Sequence, residues 1–282
     1  MTTTTAQTAT PLPFGRTIRL GFGRIRYEVK AYFRQGDGVF FTFLFPLVML
    51  FIFSVAFSNA SFGRYPDGSK VTAAAFYLPA MLAAGILLSG LQNMSTDIAA
   101  EKSDGTLKRL GGSPLPVMSY FIGKIGQVFV TGILQAIVII GAARLIFGVP
   151  LPTDGGRWLT FIWVFVLGVT TCAVLGIALS AVPRSGRSAT AVIIPITLVL
   201  QFISGVYIGF SNLPSWLQNF ASIFPLKWLA QGMRYVFLPN SFKAVEVGHS
   251  WDLGGIVIVT LIWLVAGLVL CRVTFRWIRK DS

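Results

Sequence analysis

Residues 71–96 read VTAAAFYLPAMLAAGILLSGLQNMST, and residues 97–116 read DIAAEKSDGTLKRLGGSPLP. The first stretch carries no charged residue and exceeds the ~20 apolar residues a helix needs to cross hydrocarbon. The second is polar, with charges of both signs. An abrupt change of this kind marks a membrane helix that delivers the chain to a water-facing segment.

Runs of the first kind recur on both sides. Upstream, residues 39–58 form a Phe-rich run broken only by Pro46, which a membrane helix tolerates as a kink. Downstream, runs fall at about 122–146, 158–182, 189–210 and 253–273. With 71–96 these make six spans, so the expected fold is an all-α integral membrane protein. Composition agrees: 54% of the 282 residues are hydrophobic and 12% charged, against about a quarter charged in a soluble domain. A soluble core could not hide six such runs.

Two segments are apolar without being spans. From Phe14 to Gln35, Phe14, Ile18, Phe22, Ile25, Val29 and Tyr32 recur at helical spacing, with Arg16, Arg19, Arg24, Arg26, Lys30 and Arg34 between them. That pattern predicts an amphipathic helix over 14–36 in the membrane interface, basic groups among lipid headgroups. Between the fifth and sixth runs, Pro214, Pro225 and Pro239 cut residues 212–238 into pieces too short to cross. A re-entrant hairpin of two short helices is expected there. Residues 1–13, Thr- and Ala-rich with neither a basic start nor an apolar stretch, read as a disordered tail and not as a secretion signal.

The net charge of +13 is a matter of sidedness. Six alternating spans put 16 of the 23 Lys and Arg on the side of the two termini, including Arg184, Arg187, Arg272, Arg276, Arg279 and Lys280. The positive-inside rule then places both termini in the cytoplasm of a multi-pass plasma-membrane protein. Membrane lipid accounts for the basic residues, and no nucleic-acid motif competes.

Chemistry on this chain is sparse. No phosphate-cradling G-x-x-x-x-G-K-[ST] occurs; Gly123-Lys124-Ile125 lacks both the earlier glycine and the hydroxyl. His249 is the only histidine and has no carboxylate pair or metal-ligand spacing nearby, so neither catalytic nor metal residues are expected. Cys172 and Cys271 fall inside apolar runs, where a thiol is a small hydrophobe. All ten acidic residues read as lying in loops, tails or span ends, Asp97 nearest to a span, which argues against an ion-coupled carrier. Polar faces on two spans mark a possible pathway: Ser89, Gln92, Asn93 and Thr96 on the second, Thr197, Gln201 and Ser204 on the fifth. Interhelical hydrogen bonding is the competing reading of both.

The order of an amphipathic helix, two spans, Glu101-x-x-x-Gly105-Thr106-Leu107-x-x-Leu110 followed by Ser113-Pro114, a span from near Gly123-Lys124, and Leu213-Pro214-x-Trp216-Leu217 with Phe224-Pro225-Leu226 and Gly232-Met233-Arg234 resembles the ABC-2 type permeases. These are membrane subunits of ATP-driven exporters of the daunorubicin-resistance kind. The resemblance implies a transmembrane domain over 37–282 whose segment 101–110 is a coupling helix seated in a separate ATPase, with Glu101, Asp104, Gly105, Lys108 and Arg109 at the contact. It implies two ATPase copies carrying ATP and Mg, and a second permease copy or paralogue joined through the first and fifth spans, where Gly205-x-x-x-Gly209 would permit close packing. It also implies that the hairpin closes the outer end of the pathway, with Trp216, Phe220, Phe224 and Trp228 as gate residues. The cargo would be an amphiphilic drug, a lipid or something similar, moved outward. An ATP-independent channel or carrier, or a membrane interaction subunit, are the rival classes.

Overall fold

The structure is a computed structural model that describes residues 13–183 and 185–274, without the side chain of Asp37. The tail expected over residues 1–13, apart from Pro13, and the basic residues Arg184, Arg276, Arg279 and Lys280 lie outside the described residues. Helix dominates, and six helices are long and apolar enough to span: Gly38–Ala56, Ala73–Ser103, Val117–Leu145, Gly155–Leu179, Gly186–Ile203 and Leu253–Thr274. The protein is an all-α integral membrane protein.

Helix α1 covers Phe14–Phe33 and α2 Gly36–Ala56. Thr72 caps the second span, its hydroxyl accepting from Ala75 N at 3.2 Å. That span consists of α3 (Ala73–Leu87), a π-helical stretch Leu88–Asn93, and α4 (Met94–Ser103). Gly90 makes room for Cys172, and a Cβ on Gly176 would meet Gly90 O at 2.4 Å, so the bulged turn sits directly on the fourth span. Next come α5 (Thr106–Gly111), α6 (Val117–Leu145), α7 (Gly155–Leu179) and α8 (Gly186–Ile203). The hairpin is α9 (Ser215–Ala221) and α10 (Pro225–Phe237), and α11 (Leu253–Thr274) ends the described chain. The second span forms the buried centre of the bundle, whereas α2, α8 and α11 keep broad apolar faces outward.

Helix α1 lies against α6 at one end, here the α1 end. Thr17, Gly21 and Glu28 face α6, Tyr32 is buried toward α2 and donates to Gly38 O at 3.4 Å, Arg16, Arg19, Arg26, Lys30 and Arg34 are exposed, and Phe14 and Phe22 remain exposed on a flank. The apolar stripe expected to enter lipid is thus divided, with Ile25 and Tyr32 taken up by the protein and Phe14 and Phe22 left outside it. At the other end, the hairpin end, α10 packs on α3, α7 and α11 with Leu226, Leu229, Ala230, Met233 and Val236 fully buried.

Three expectations need correction. The second span does not stop near residue 96 but continues to Ser103, so Asp97 and Glu101 belong to its last turns and not to a loop. The segment 101–110 is not one helix: Gly105 adopts φ 81°, a left-handed conformation that ends α4 and starts α5. The fifth span ends at Ile203, where Gly205 turns the chain at φ 78°, so Gly205 and Gly209 lie beyond the helix and form no helix-packing motif.

Candidate functional site

Between α2, the second span and α8 is a cavity of about 400 Å³. Its polar lining is Thr42, Gln92, Asn93, Thr96, Thr190, Thr197 and Gln201, and its apolar walls include Phe41, Phe45, Leu88, Ile194 and Leu198. Five of the seven polar residues expected to face a pathway therefore converge on one space. They are cross-linked: Thr197 Oγ1 donates to Gln92 Oε1 at 2.6 Å, Asn93 Nδ2 donates to Thr42 Oγ1 at 2.7 Å, and Tyr207 Oη donates to Gln201 Oε1 at 2.6 Å.

Ser89 and Ser204 are absent from this lining. Ser89 donates to Gln135 Oε1 at 3.0 Å, and Gln135 Nε2 in turn donates to Thr42 O at 2.6 Å, so Ser89 joins the second span to α6 and α2. The physical reason is the π-helical turn, whose extra residue rotates Ser89 off the face that regular α spacing gives Gln92, Asn93 and Thr96. Ser204 is buried where α8 ends, and its hydroxyl has no partner among the described residues.

A second cavity of about 190 Å³ lies nearer the hairpin end, lined by Phe62, Phe76, Tyr77, Phe210, Phe242 and the Arg234–Glu246 ion pair among others. An aromatic cluster from α2, the second span and the segment after α8 borders the second cavity, which Tyr77 itself lines. Phe53 stacks on Tyr77 with centroids 4.5 Å apart, and Tyr207 lies 6.1 Å from Phe53. The expected gate residues are elsewhere. Trp216 and Phe220 are exposed on α9, Phe224 stacks on Trp263 of α11, and Trp228 donates its indole N–H to Ser222 O at 2.7 Å. None of the four lines either cavity. The Pro225 start of α10 turns that part of the hairpin toward α11, leaving the cavity roof to the segments after α8 and α10.

At the α1 end, Leu107 anchors α5 in the bundle, while Asp104, Lys108 and Arg109 are exposed. Asp104 Oδ1 accepts from Thr106 N at 2.8 Å, capping the start of α5. Glu101 is engaged inside the chain: Tyr120 Oη donates to its Oε2 at 2.6 Å and Lys124 Nζ to its Oε1 at 2.6 Å. Lys124 also reaches Glu28 Oε2 at 3.0 Å, and Glu28 pairs with Arg24 at 2.8 Å. A largely buried chain of charges thus runs from Glu101, at the end of the second span, through α6 to α1.

Sequence reasoning missed this network. It counted Lys124 and Arg24 as basic residues at the membrane surface. The available signal was Glu28, the lone acid of α1, which shares the Tyr32 face of the helical wheel and not the basic one.

Comparison with known proteins places this architecture. The family model described as ABC-2 family transporter protein matches residues 61–273. The chain is 23% identical over 178 residues to the probable multidrug ABC transporter permease YbhR of Escherichia coli (strain K12), covering 63% of this chain and 48% of that protein. It therefore spans about half the length of YbhR. Similarity also extends to the putative transport permease ycf38 of Porphyra purpurea, at 25% identity over 79% of this chain and 77% of that one. The inner membrane transport permease YadH of Escherichia coli (strain K12) is 19% identical over 68% of this chain and 74% of its own length. Together with the six-span bundle, these matches show that the chain belongs to the ABC-2 transporter family.

Proposed function

We propose that this permease is the membrane half of an exporter that moves an amphiphilic drug, a lipid or a similar cargo outward from the cytoplasm or inner leaflet. The termini and the α1 end face the cytoplasm, as the excess of Lys and Arg there favours. Two copies of a separate ATPase supply ATP and Mg, and a second permease copy or paralogue completes the pathway.

The observation that carries this reading is the cavity between α2, the second span and α8, which combines apolar walls with a few convergent polar groups at a volume suited to a small molecule. Cargo enters there from the α1 end. Phe53, Tyr77 and Tyr207, which cluster at the second cavity, form an aromatic gate on the outward path. The ATPase presses on Asp104, Lys108 and Arg109. Glu101, Lys124 and Glu28 then carry the displacement to α6 and α1 as a rigid-body movement, because paired buried charges resist separation.

The test is transport in vesicles containing the permease with and without its co-purified ATPase. Cargo movement is expected only with the ATPase and ATP, and Thr197→Val with Gln92→Leu should lower it at least tenfold. Transport by the permease alone would establish a channel or carrier instead. ATP hydrolysis indifferent to Lys108→Glu and Arg109→Glu would favour an interaction subunit.

A further inference from the structure

The polar groups of the inner cavity also limit what it accepts. Among the described residues that line it, none is acidic, basic or a histidine. Of the charges nearest that end, Arg24, Glu28, Glu101 and Lys124 are paired with one another between α1, α4 and α6, and Asp97, next to Thr96, lies within the field of Lys124 and is not part of the lining. The cavity contains amides and hydroxyls, and most of their hydrogen-bonding capacity is already used. Gln92 Oε1 receives Thr197, Asn93 Nδ2 gives to Thr42, and Gln201 is held between Thr197 O at 3.3 Å and Tyr207.

The Asn93 amide nitrogen is engaged by Thr42 and Tyr32, which leaves its Oδ1, an acceptor, and Nε2 of Gln92, a donor, as the amide atoms without a hydrogen bond among the described residues. They sit on adjacent residues, both half-buried, beside Phe41, Phe45, Leu88, Ile194 and Leu198. A neutral group that both donates and accepts, such as a hydroxyl or an amide, satisfies the pair. A carboxylate or sulfate would find the Gln92 donor but face the Asn93 oxygen, and an ammonium would meet the reverse. Either ion would give up its hydration without an opposite charge in return, which an apolar site at membrane depth penalises heavily.

We infer that the species this cavity carries is a neutral amphiphile, an apolar body bearing an uncharged head that both donates and accepts hydrogen bonds. The inference rests on the cavity being the cargo site. Its test uses vesicles holding the permease with its co-purified ATPase and three fluorescent acyl chains of equal length, whose heads are glucosyl, trimethylammonium or sulfate. The glucosyl lipid is expected to move at least tenfold faster than either ion. Gln92→Glu should shift preference toward the trimethylammonium lipid by tenfold or more, and Thr190→Asp, at an exposed lining position, repeats that test where folding is not at stake.

The class is overturned if the wild type moves an ionic lipid as fast as the glucosyl one, or leaves the glucosyl lipid in place while hydrolysing ATP. If both acidic variants leave the three rates unchanged, the cavity is not the cargo site, and the reading beneath the inference fails instead.

Discussion

Lys124 stands between two carboxylates, Glu28 and Glu101, and is almost wholly buried with Glu28. Removing one partner of such a group leaves an uncompensated charge and costs about 3–5 kcal/mol, whereas removing charge from both sides costs far less. Lys124→Met should therefore lower the unfolding free energy in detergent by roughly that amount, and Glu101→Gln added to it should restore part of the loss, since Glu28 keeps Arg24 as its partner. At the hairpin end, Lys227 is buried against the Trp228 ring at 3.6 Å and donates to Gln231 Oε1 at 2.6 Å. Burial pulls it down from 10.5 to about 8, with Glu246 offsetting part of the effect. A lysine whose folded value is depressed holds fewer protons folded than unfolded between the two values, so stability should rise with pH from about 8 to 10.5. Melting temperatures across that range should show the rise, and Lys227→Met should flatten it. Neither environment was legible in the sequence, because a lysine near a span end looks the same whether it snorkels to headgroups or turns inward.

Gly105 decides the shape of the polar segment between the second and third spans. At φ 81° any Cβ is strained, so Gly105→Ala should cost about 1–2 kcal/mol and misdirect α5. In the assembled complex the expected result is transport reduced several-fold relative to ATP hydrolysis, a split measured by assaying both on one preparation. The sequence marked residues 97–116 as a polar insert between spans, and it marked Gly105 as a weak point for a helix within it. Whether the weak point becomes a break depended on what the flanks do. Glu101 is tied to Tyr120 and Lys124, Leu107 is buried, and the backbone between these anchors has to turn. The same holds for the π-helical turn at Leu88–Asn93, set by the close approach of Gly90 and Gly176 and not by local propensity.

On the scale of the whole molecule, α2 and α8 present Phe40, Phe41, Val48, Phe51, Ile52, Val55, Ile194, Leu198, Val199 and Phe202 outward, flanking the mouth of the inner cavity. A second permease copy seated on this side would cover the faces and close the cavity wall. Cysteine placed at Val48 or Val199, in a chain whose own cysteines are replaced, should cross-link as a dimer in membranes. Cysteine at Ile258 or Val269, on the exposed face of α11, should not. The opposite pattern would move the interface to α11 and leave the cavity open to lipid.

The six spans, the hairpin and the polar insert followed from the sequence alone, because crossing hydrocarbon imposes length, lack of charge and full backbone pairing on each segment independently of its neighbours. The polar faces of the second and fifth spans were likewise visible as helical spacing, and Gln92, Asn93, Thr96, Thr197 and Gln201 meet as that spacing implied. The tertiary structure decided everything that depends on which helix faces which. It sent Ser89 to Gln135, grouped Phe53, Tyr77 and Tyr207 beside the second cavity, and gathered Arg24, Glu28, Glu101 and Lys124 into one network. Those partners lie many residues apart, and the bilayer specifies that each helix must span without specifying how neighbouring spans are rotated, which is fixed only by packing.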